Sequence, residues 1–284
     1  MRISMDTYAL SEKFGDFKAI EMMKEAGFDA VDFSYCYNQE TKEVLGDGYR
    51  EYAKRIREHL DKVGMVCNQA HAPFVSGTEF AKDATLSKET LIIRAIESAS
   101  ILGAENIVVH AITVPSGVDF EEYNINYYKS LIPYCIKFGI NVAVENLFIR
   151  DYKRKCFAGK IGSPKELNSI VEKINSPYIV ACVDVGHAAL TGYEPEKFIE
   201  GVNKNILKAL HIHDNSYTED DHALPYTGRL NWEAVMEALK NKGYQGDLTF
   251  EIRKFTSKFP DELVSQALKF IVSTGKHLVS IYNK

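Results

Sequence analysis

The sequence has no run of about 18 consecutive apolar residues, and so offers no candidate for a transmembrane helix. Its opening, MRISMDTYAL, lacks the continuous apolar stretch of a secretory signal. Cysteine is sparse. Cys36, Cys67, Cys135, Cys156 and Cys182 are scattered, odd in number and never spaced as CxxC. That argues against a disulfide framework and points to reduced, mostly buried thiols in a cytoplasmic protein. Positive charge is not in excess either. With 34 Lys and Arg against 39 Asp and Glu, the net charge is −5, which disfavours indiscriminate binding to nucleic acid or an anionic membrane. No linker, low-complexity stretch or charge block divides the chain, and a single domain over residues 1–284 is expected.

What is present is alternation. Short apolar segments read as strands at 2–7, 29–33, 66–71, 105–110, 140–145, 179–184, 207–213 and 247–251. Between them lie amphipathic helical patterns near 16–27, 48–64, 87–102, 119–138, 163–174, 195–204, 231–242 and 260–278. Some boundaries carry their own mechanism. Ser163-Pro164-Lys165-Glu166 sets a capping Ser, a first-turn Pro and a Glu placed to reach back. Gly103, Gly139 and Gly243 follow helices, as C-terminal stops should. Eight strand–helix repeats predict an α/β fold, a single (β/α)8 TIM barrel with its active site at the C-terminal ends of the strands.

The strand tips are polar. The third predicted strand ends in His71, the fourth in His110, the fifth in Glu145, the sixth in Asp184 with His187 soon after. The seventh carries His211 and the eighth ends in Glu251. Side chains alternate along a strand, so Ala143 and Glu145 share one face and Val142 and Val144 the other. Cys182 and Asp184 oppose Val183; Ala209, His211 and His213 oppose Leu210 and Ile212; Thr249 and Glu251 oppose Phe250. The bulky apolar faces belong against the helices, leaving the titratable residues to the barrel mouth. A lone strand-end His is more often a satisfied structural residue, and a lone carboxylate a cap or ion-pair partner. Consecutive strands delivering several of both to one rim are another matter. Mutual repulsion and desolvation of those carboxylates call for a bound cation.

Other features are weaker. Arg150, Lys153, Arg154, Lys155 and Lys160 follow the fifth strand. They suit a phosphate or a nucleic-acid backbone, although such runs are more often solvated loops. His59 and His277 read as ordinary surface residues. His213 is expected at the rim or behind the ligands, with Asp214 and Asn215 orienting their loop. Trp232 reads as core or mouth-lining packing.

These residues resemble the xylose-isomerase-like barrel superfamily, which holds sugar isomerases, ketose 3-epimerases, inositol-catabolic enzymes and endonuclease IV. The resemblance covers essentially the whole chain. It is carried by VEN at 144–146, DVGHA at 184–188, HIHDN at 211–215, DDHALPYTGRLNW at 220–232 and Glu251. The sugar branch implies one metal held by Glu145, Asp184, His211 and Glu251, with His187 touching substrate. The endonuclease IV branch implies three zinc ions at His71, His110, Glu145, Asp184, His187, His211, Asp220, His222 and Glu251. Its signatures are poorly kept: APFVSG follows His71, DVGH surrounds Asp184, and the PYTGRLNW ending looks like the sugar branch.

The resemblance therefore implies a divalent-metal-dependent isomerase or epimerase of a sugar or sugar phosphate, working by proton transfer through an enediolate. Glu145 and Glu251 are its expected acid–base pair, set on roughly opposite sides of the ring. His71, His110, His187, Asp220 and His222 are expected to bind substrate or further metal. An oxygen-rich site suits Mn²⁺, Mg²⁺ or Co²⁺, and Zn²⁺ if the extra histidines also ligate. The partner is a small-molecule sugar, with no nucleic acid or membrane and a possible homo-oligomer. The alternatives are an endonuclease IV-like zinc phosphodiesterase and a non-catalytic sugar-binding barrel.

Overall fold

A computed structural model of the chain describes residues 1–36, 44–74, 88–151 and 156–284. The strands are β1 (Ile3–Asp6), β2 (Ala30–Ser34), β3 (Val66–His71), β4 (Asn106–Val109), β5 (Asn141–Glu145), β6 (Leu147–Asp151), β7 (Cys156–Lys160), β8 (Ile179–Asp184), β9 (Leu207–His211) and β10 (Leu248–Phe250). The helices are α1 (Tyr8–Phe14), α2 (Asp16–Ala26), α3 (Tyr49–Val63), α4 (Lys88–Leu102), α5 (Phe120–Phe138), α6 (Pro164–Ile174), α7 (Val185–Leu190), α8 (Pro195–Gly201), α9 (Trp232–Lys242), α10 (Arg253–Thr256) and α11 (Asp261–Asn283).

Eight parallel strands run in the order β10-β1-β2-β3-β4-β5-β8-β9. The ring closes just beyond β9, where the Ile212 N–H donates to Thr249 O at 2.9 Å and the Glu251 N–H donates to Ile212 O at 3.0 Å. Closure removes both sheet edges and leaves each strand buried on two faces. The alternation read from sequence decides which face is which. Val108, Ala143, Val180, Cys182 and Ala209 form a small buried cluster of their own. Val142, Val144, Val183, Leu210 and Phe250 pack instead with helix residues such as Ile56, Leu167, Phe198 and Trp232. Small interior side chains leave room at the top of the barrel for longer polar ones. On the β1, β3 and β10 side the interior is polar: Ser4 Oγ donates to Asn68 Oδ1 at 2.7 Å, and Asn68 Nδ2 donates to Thr249 Oγ1 at 3.3 Å.

The helices begin and end where the sequence dictates. Ser163 and Glu166 form a reciprocal capping box on α6, and Gly139 and Gly243 end α5 and α9 in the left-handed conformation. Three short helices, α1, α7 and α10, were not predicted. Nor was the antiparallel pair β6–β7, which stands where a solvated basic loop is expected after β5. Of that segment, Lys153, Arg154 and Lys155 lie outside the described residues. His59 is less exposed than expected: its ring lies 5.2 Å from that of Phe17, edge to face. Cys36, Cys67, Cys135 and Cys182 are buried. Among the described residues no helix is long and apolar enough to cross a membrane.

Candidate metal centre

Each strand of the barrel's upper half delivers a polar side chain to one point. His71 ends β3, Glu145 ends β5, Asp184 ends β8 and His211 ends β9, while His110 and Glu251 stand one residue past β4 and β10. Ligand atoms of Glu145, Asp184, His211 and Glu251 all lie within 4.8 Å of one another, as do those of His71, Glu145 and His211. Glu145, Asp184, His211 and Glu251 are each at most 3% exposed. The two glutamates are three strands apart around the ring, not diametrically opposed, and their carboxylates converge.

His211 is the hub. Its Nδ1 lies 2.7 Å from Glu145 Oε1 and 3.4 Å from Glu251 Oε2. Its Nε2 faces away from these, 3.1 Å from Asp32 Oδ2. Gln69 Nε2 donates to the same Asp32 oxygen at 2.8 Å. Asp32 thus backs the histidine as carboxylates back metal-bound imidazoles, fixing its ring and its tautomer.

Asp184 is held from two sides. Asn146 straps β5 to β8, its Oδ1 accepting the Asp184 N–H at 2.8 Å and its Nδ2 donating to Asp184 O at 2.9 Å. Asp184 Oδ1 accepts the His187 N–H at 2.7 Å, starting α7. His187 Nδ1 rests 2.9 Å from Asn146 O, which turns its other nitrogen toward the cavity. His213, expected at the rim or behind the ligands, is fully buried, with Nε2 3.0 Å from Asp184 Oδ1. Its ring lies against Gly186, where an added Cβ would come within 2.0 Å of it. Only glycine fits at position 186.

The loop after β9 is folded by Asp214. Its Oδ2 accepts from Trp232 Nε1 at 2.9 Å and from the Tyr226 N–H at 3.0 Å, and its Oδ1 accepts the Leu230 N–H at 3.1 Å. This brings His222 onto His213, ring centroids 4.3 Å apart, with His222 Nε2 2.9 Å from Asp220 Oδ2. Asp184, His187 and His213, and also His213, His222 and Glu251, form further groups of ligand spacing.

Arg253 joins the site from beyond the strand tips. Its Nη2 lies 2.5 Å from Glu251 Oε1, and its Nε donates to Asp6 Oδ2 at 2.8 Å. Its guanidinium lies 4.8 Å from the Tyr8 ring centroid. Glu251 therefore has one oxygen toward His211 and the other on Arg253.

The electrostatics are those of a carboxylate cluster held together by imidazoles. Burial would push Glu145 up, but His211 and His110 outweigh it and hold its carboxyl well below the usual range. Burial likewise opposes charge on Asp184, and His187 and His213 bring it below the ordinary value. Burial works against a charged His211, yet Glu251, Glu145 and the Asp32 contact raise it well above 6.5. Burial and the neighbouring His110 hold His71 well below that value. Asp6, buried beside Arg253 and Glu251, is raised to about 6.

A divalent cation fits these residues. Buried Asp184 Oδ2 has no hydrogen-bond partner among the described residues, and Glu145 Oε2 has no aligned one. An unsatisfied buried oxygen costs about 1–3 kcal/mol or more, and a cation removes that cost while displacing the protons the imidazoles would otherwise carry. The donor set of three carboxylates and one imidazole is a hard, oxygen-rich one.

Above the cluster opens a cavity of about 310 Å³, lined by Glu251, Arg253, His110, His187, Asp220 and His222 among others. Its size suits a small polar molecule. A cavity of about 270 Å³ at the opposite end of the barrel is lined by Lys204, Lys208 and Lys242 and includes no imidazole.

A family model described as xylose isomerase-like TIM barrel matches residues 20–274. An uncharacterized protein, y4fM of Sinorhizobium fredii, is 26% identical over 264 residues, covering 82% of this chain and 79% of that protein. Among solved structures, a D-tagatose 3-epimerase-like protein aligns with TM-score 0.74 and 24% identity over 100% of this chain and 98% of its own. A D-psicose 3-epimerase in the presence of D-fructose aligns with TM-score 0.75 and 13% identity, covering 98% of this chain and 99% of its own. An IolI protein with a zinc atom aligns with TM-score 0.75 and 16% identity, over 99% of each chain. At these identities the structural likeness speaks for the fold.

Proposed function

The chain belongs to the xylose isomerase-like TIM barrel family, and from that premise we propose that it is a divalent-metal-dependent isomerase or epimerase of a sugar or sugar phosphate, acting as one barrel domain. The observation that carries the reading is the convergence of Glu145, Asp184, His211 and Glu251 within 4.8 Å beneath a polar cavity. Support comes from neighbours described as acting on D-psicose and as D-tagatose 3-epimerase-like, and from one with bound zinc.

Glu145, Asp184, His211 and Glu251 would hold Mn²⁺, Mg²⁺, Co²⁺ or Zn²⁺. When bound, the ion supplies Lewis acidity to neighbouring substrate oxygens and so acidifies the adjacent C–H. The side chains do the rest. Glu251 lines the cavity and exchanges the carbon-bound proton with substrate. Arg253 holds it in place through its Nη2. Glu145 meets the cavity at His110, whose Nε2 touches its Oε2, and serves as the second acid–base group. His187, His222 and Asp220 offer donors and acceptors to hydroxyl groups. Return of the proton to the opposite face of the same carbon gives an epimer; return to the adjacent carbon gives an isomer.

A second reading rests on the two further ligand-spaced groups around His213. They suit extra metal ions, as in a zinc phosphodiesterase. Elemental analysis of wild type and His187→Ala separates the two. The isomerase reading expects one metal per chain, retained by the variant, whose KM for a converted ketose rises. Three zinc ions per chain, lost in part from the variant, together with incision of abasic DNA, would favour the phosphodiesterase.

A further inference from the structure

Among the described residues of the basic segment, Lys160 is the one that reaches the cavity. It ends β7, pairs in register with Leu147 of β6, and lines the same cavity as His187 and Glu251. Arg150 is turned aside into a two-pronged ion pair with Glu219, at 2.6 and 2.9 Å.

The turn that presents Lys160 is tightly built. A Cβ on Gly159 would lie 2.6 Å from the Gly162 Cα, and one on Gly162 would lie 2.2 Å from the Gly159 Cα, so the two backbones touch. Between them Ile161 is buried with φ +60°, a conformation that β-branched residues avoid. Such backbone persists only where its surroundings over-determine it. Thr191 Oγ1 donates to Gly162 O at 2.9 Å, tying the turn to the end of α7, the helix that carries His187.

The ammonium so placed is under-used. Nζ donates to Thr113 Oγ1 at 2.7 Å and lies 5.4 Å from the Phe120 ring centroid. Among the described residues it has no carboxylate partner. The cavity's own carboxylates are engaged elsewhere, Asp220 with His222 and Glu251 with Arg253. Partial burial lowers the Lys160 pKa, so an anion at this point would restore what the ammonium loses in hydration. Thr113, accepting from Lys160, keeps its own O–H to donate.

We propose that Lys160 and Thr113 form an anion subsite, and that the substrate is a polyol or ketose carrying a phosphate or carboxylate at the end remote from the Glu145–Asp184–His211–Glu251 cluster. The proposal rests on the isomerase reading for the sugar, but the subsite is testable without turnover. The probes are an alditol, its terminal phosphate ester and the matching aldonate, titrated by calorimetry into metal-loaded wild type, Lys160→Gln, Lys160→Arg and Thr113→Val.

In wild type one anion should bind about 10- to 100-fold more tightly than the alditol, as a charge-assisted hydrogen bond in a partly screened site provides. Whichever anion gains identifies the group. Lys160→Gln should collapse that ratio, Lys160→Arg should keep most of it, and Thr113→Val should reduce it. Equal binding of alditol and both anions by wild type overturns the subsite, with no variant needed. So does a preference that survives Lys160→Gln, because the anion would then be sitting on the metal. If the ratios behave as expected but no sugar exchanges its α-proton, the subsite stands and the isomerase reading falls.

Discussion

His110 Nε2 stands 2.6 Å from Glu145 Oε2, while the other oxygen of the same carboxylate faces His211 Nδ1 at 2.7 Å. One carboxylate is thus divided between the Glu145–Asp184–His211–Glu251 cluster and the cavity wall. A group so placed can ligate through one oxygen and handle a proton through the other. Glu145→Gln keeps the shape but loses both capacities. It should lower turnover by about 10²- to 10⁴-fold, the range for loss of a general base, and reduce bound metal. Unchanged metal content together with unchanged turnover would remove Glu145 from the site.

Asp32 leads to a second prediction. With Oδ2 on His211 Nε2 at 3.1 Å, it should set the ring's basicity without touching metal or substrate. Asp32→Asn should weaken metal binding by about 10- to 100-fold, as loss of a carboxylate behind a ligating imidazole does elsewhere. Turnover at saturating metal should fall less. Competition with a chromogenic chelator measures the affinity, and a wild-type value would make Asp32 merely structural.

Arg253 is mostly buried against Glu251 and Asp6. Arg253→Met would leave two carboxylates uncompensated and should destabilise the fold by about 3–5 kcal/mol. Adding Asp6→Asn should recover part of that loss. Denaturant melts of the two single variants and the double variant test this. Simple additivity would mean that the pair does not interact.

Why some of this was legible and some not follows from particular residues. The alternation along 140–145 and 207–213 assigns Glu145 and His211 to the interior because Val142, Val144 and Leu210 need the helices. The same rule applied to the first two strands places Asp6 and Asp32 inside as well, opposite Met5 and Phe33. Neither strand carries the His or Glu tip that marks most strands from the third onward. Arg253 was harder, since it starts the short α10 just after β10 and meets Asp6 only because the ring closes. The β6–β7 pair was hidden because its lysines and arginines resemble a solvated loop, and because nothing local shows that Leu147 will face Lys160. His213 carried a usable signal in sharing the His211 face, but its burial depends on how Asp214 folds the distant segment 220–232.

His213 sets a pH dependence in protein stripped of metal. Burial opposes its charge, yet Asp184 and Asp220 raise it from 6.5 to about 9. A histidine raised on folding adds stability that is fully present below the unfolded value and is lost as pH rises through the folded one. Chelator-treated protein should therefore become less stable between roughly pH 6.5 and 9, and His213→Asn should flatten that slope. Thermal melts across this range measure it. Identical slopes in the two proteins would assign the dependence to other groups.

The most direct test of the central claim is wash-in of solvent deuterium. Metal-loaded protein is incubated in deuterated water with neutral, phosphorylated and carboxylated ketoses and aldoses, and the carbon next to the carbonyl is followed by NMR. The account predicts deuterium at that carbon in at least one sugar. It also predicts an isomer or epimer accumulating alongside, loss of both after chelation, recovery on adding a divalent metal, and no exchange by Glu251→Gln. Exchange absent from every sugar with the metal in place, or persisting at the wild-type rate in Glu251→Gln, would contradict it.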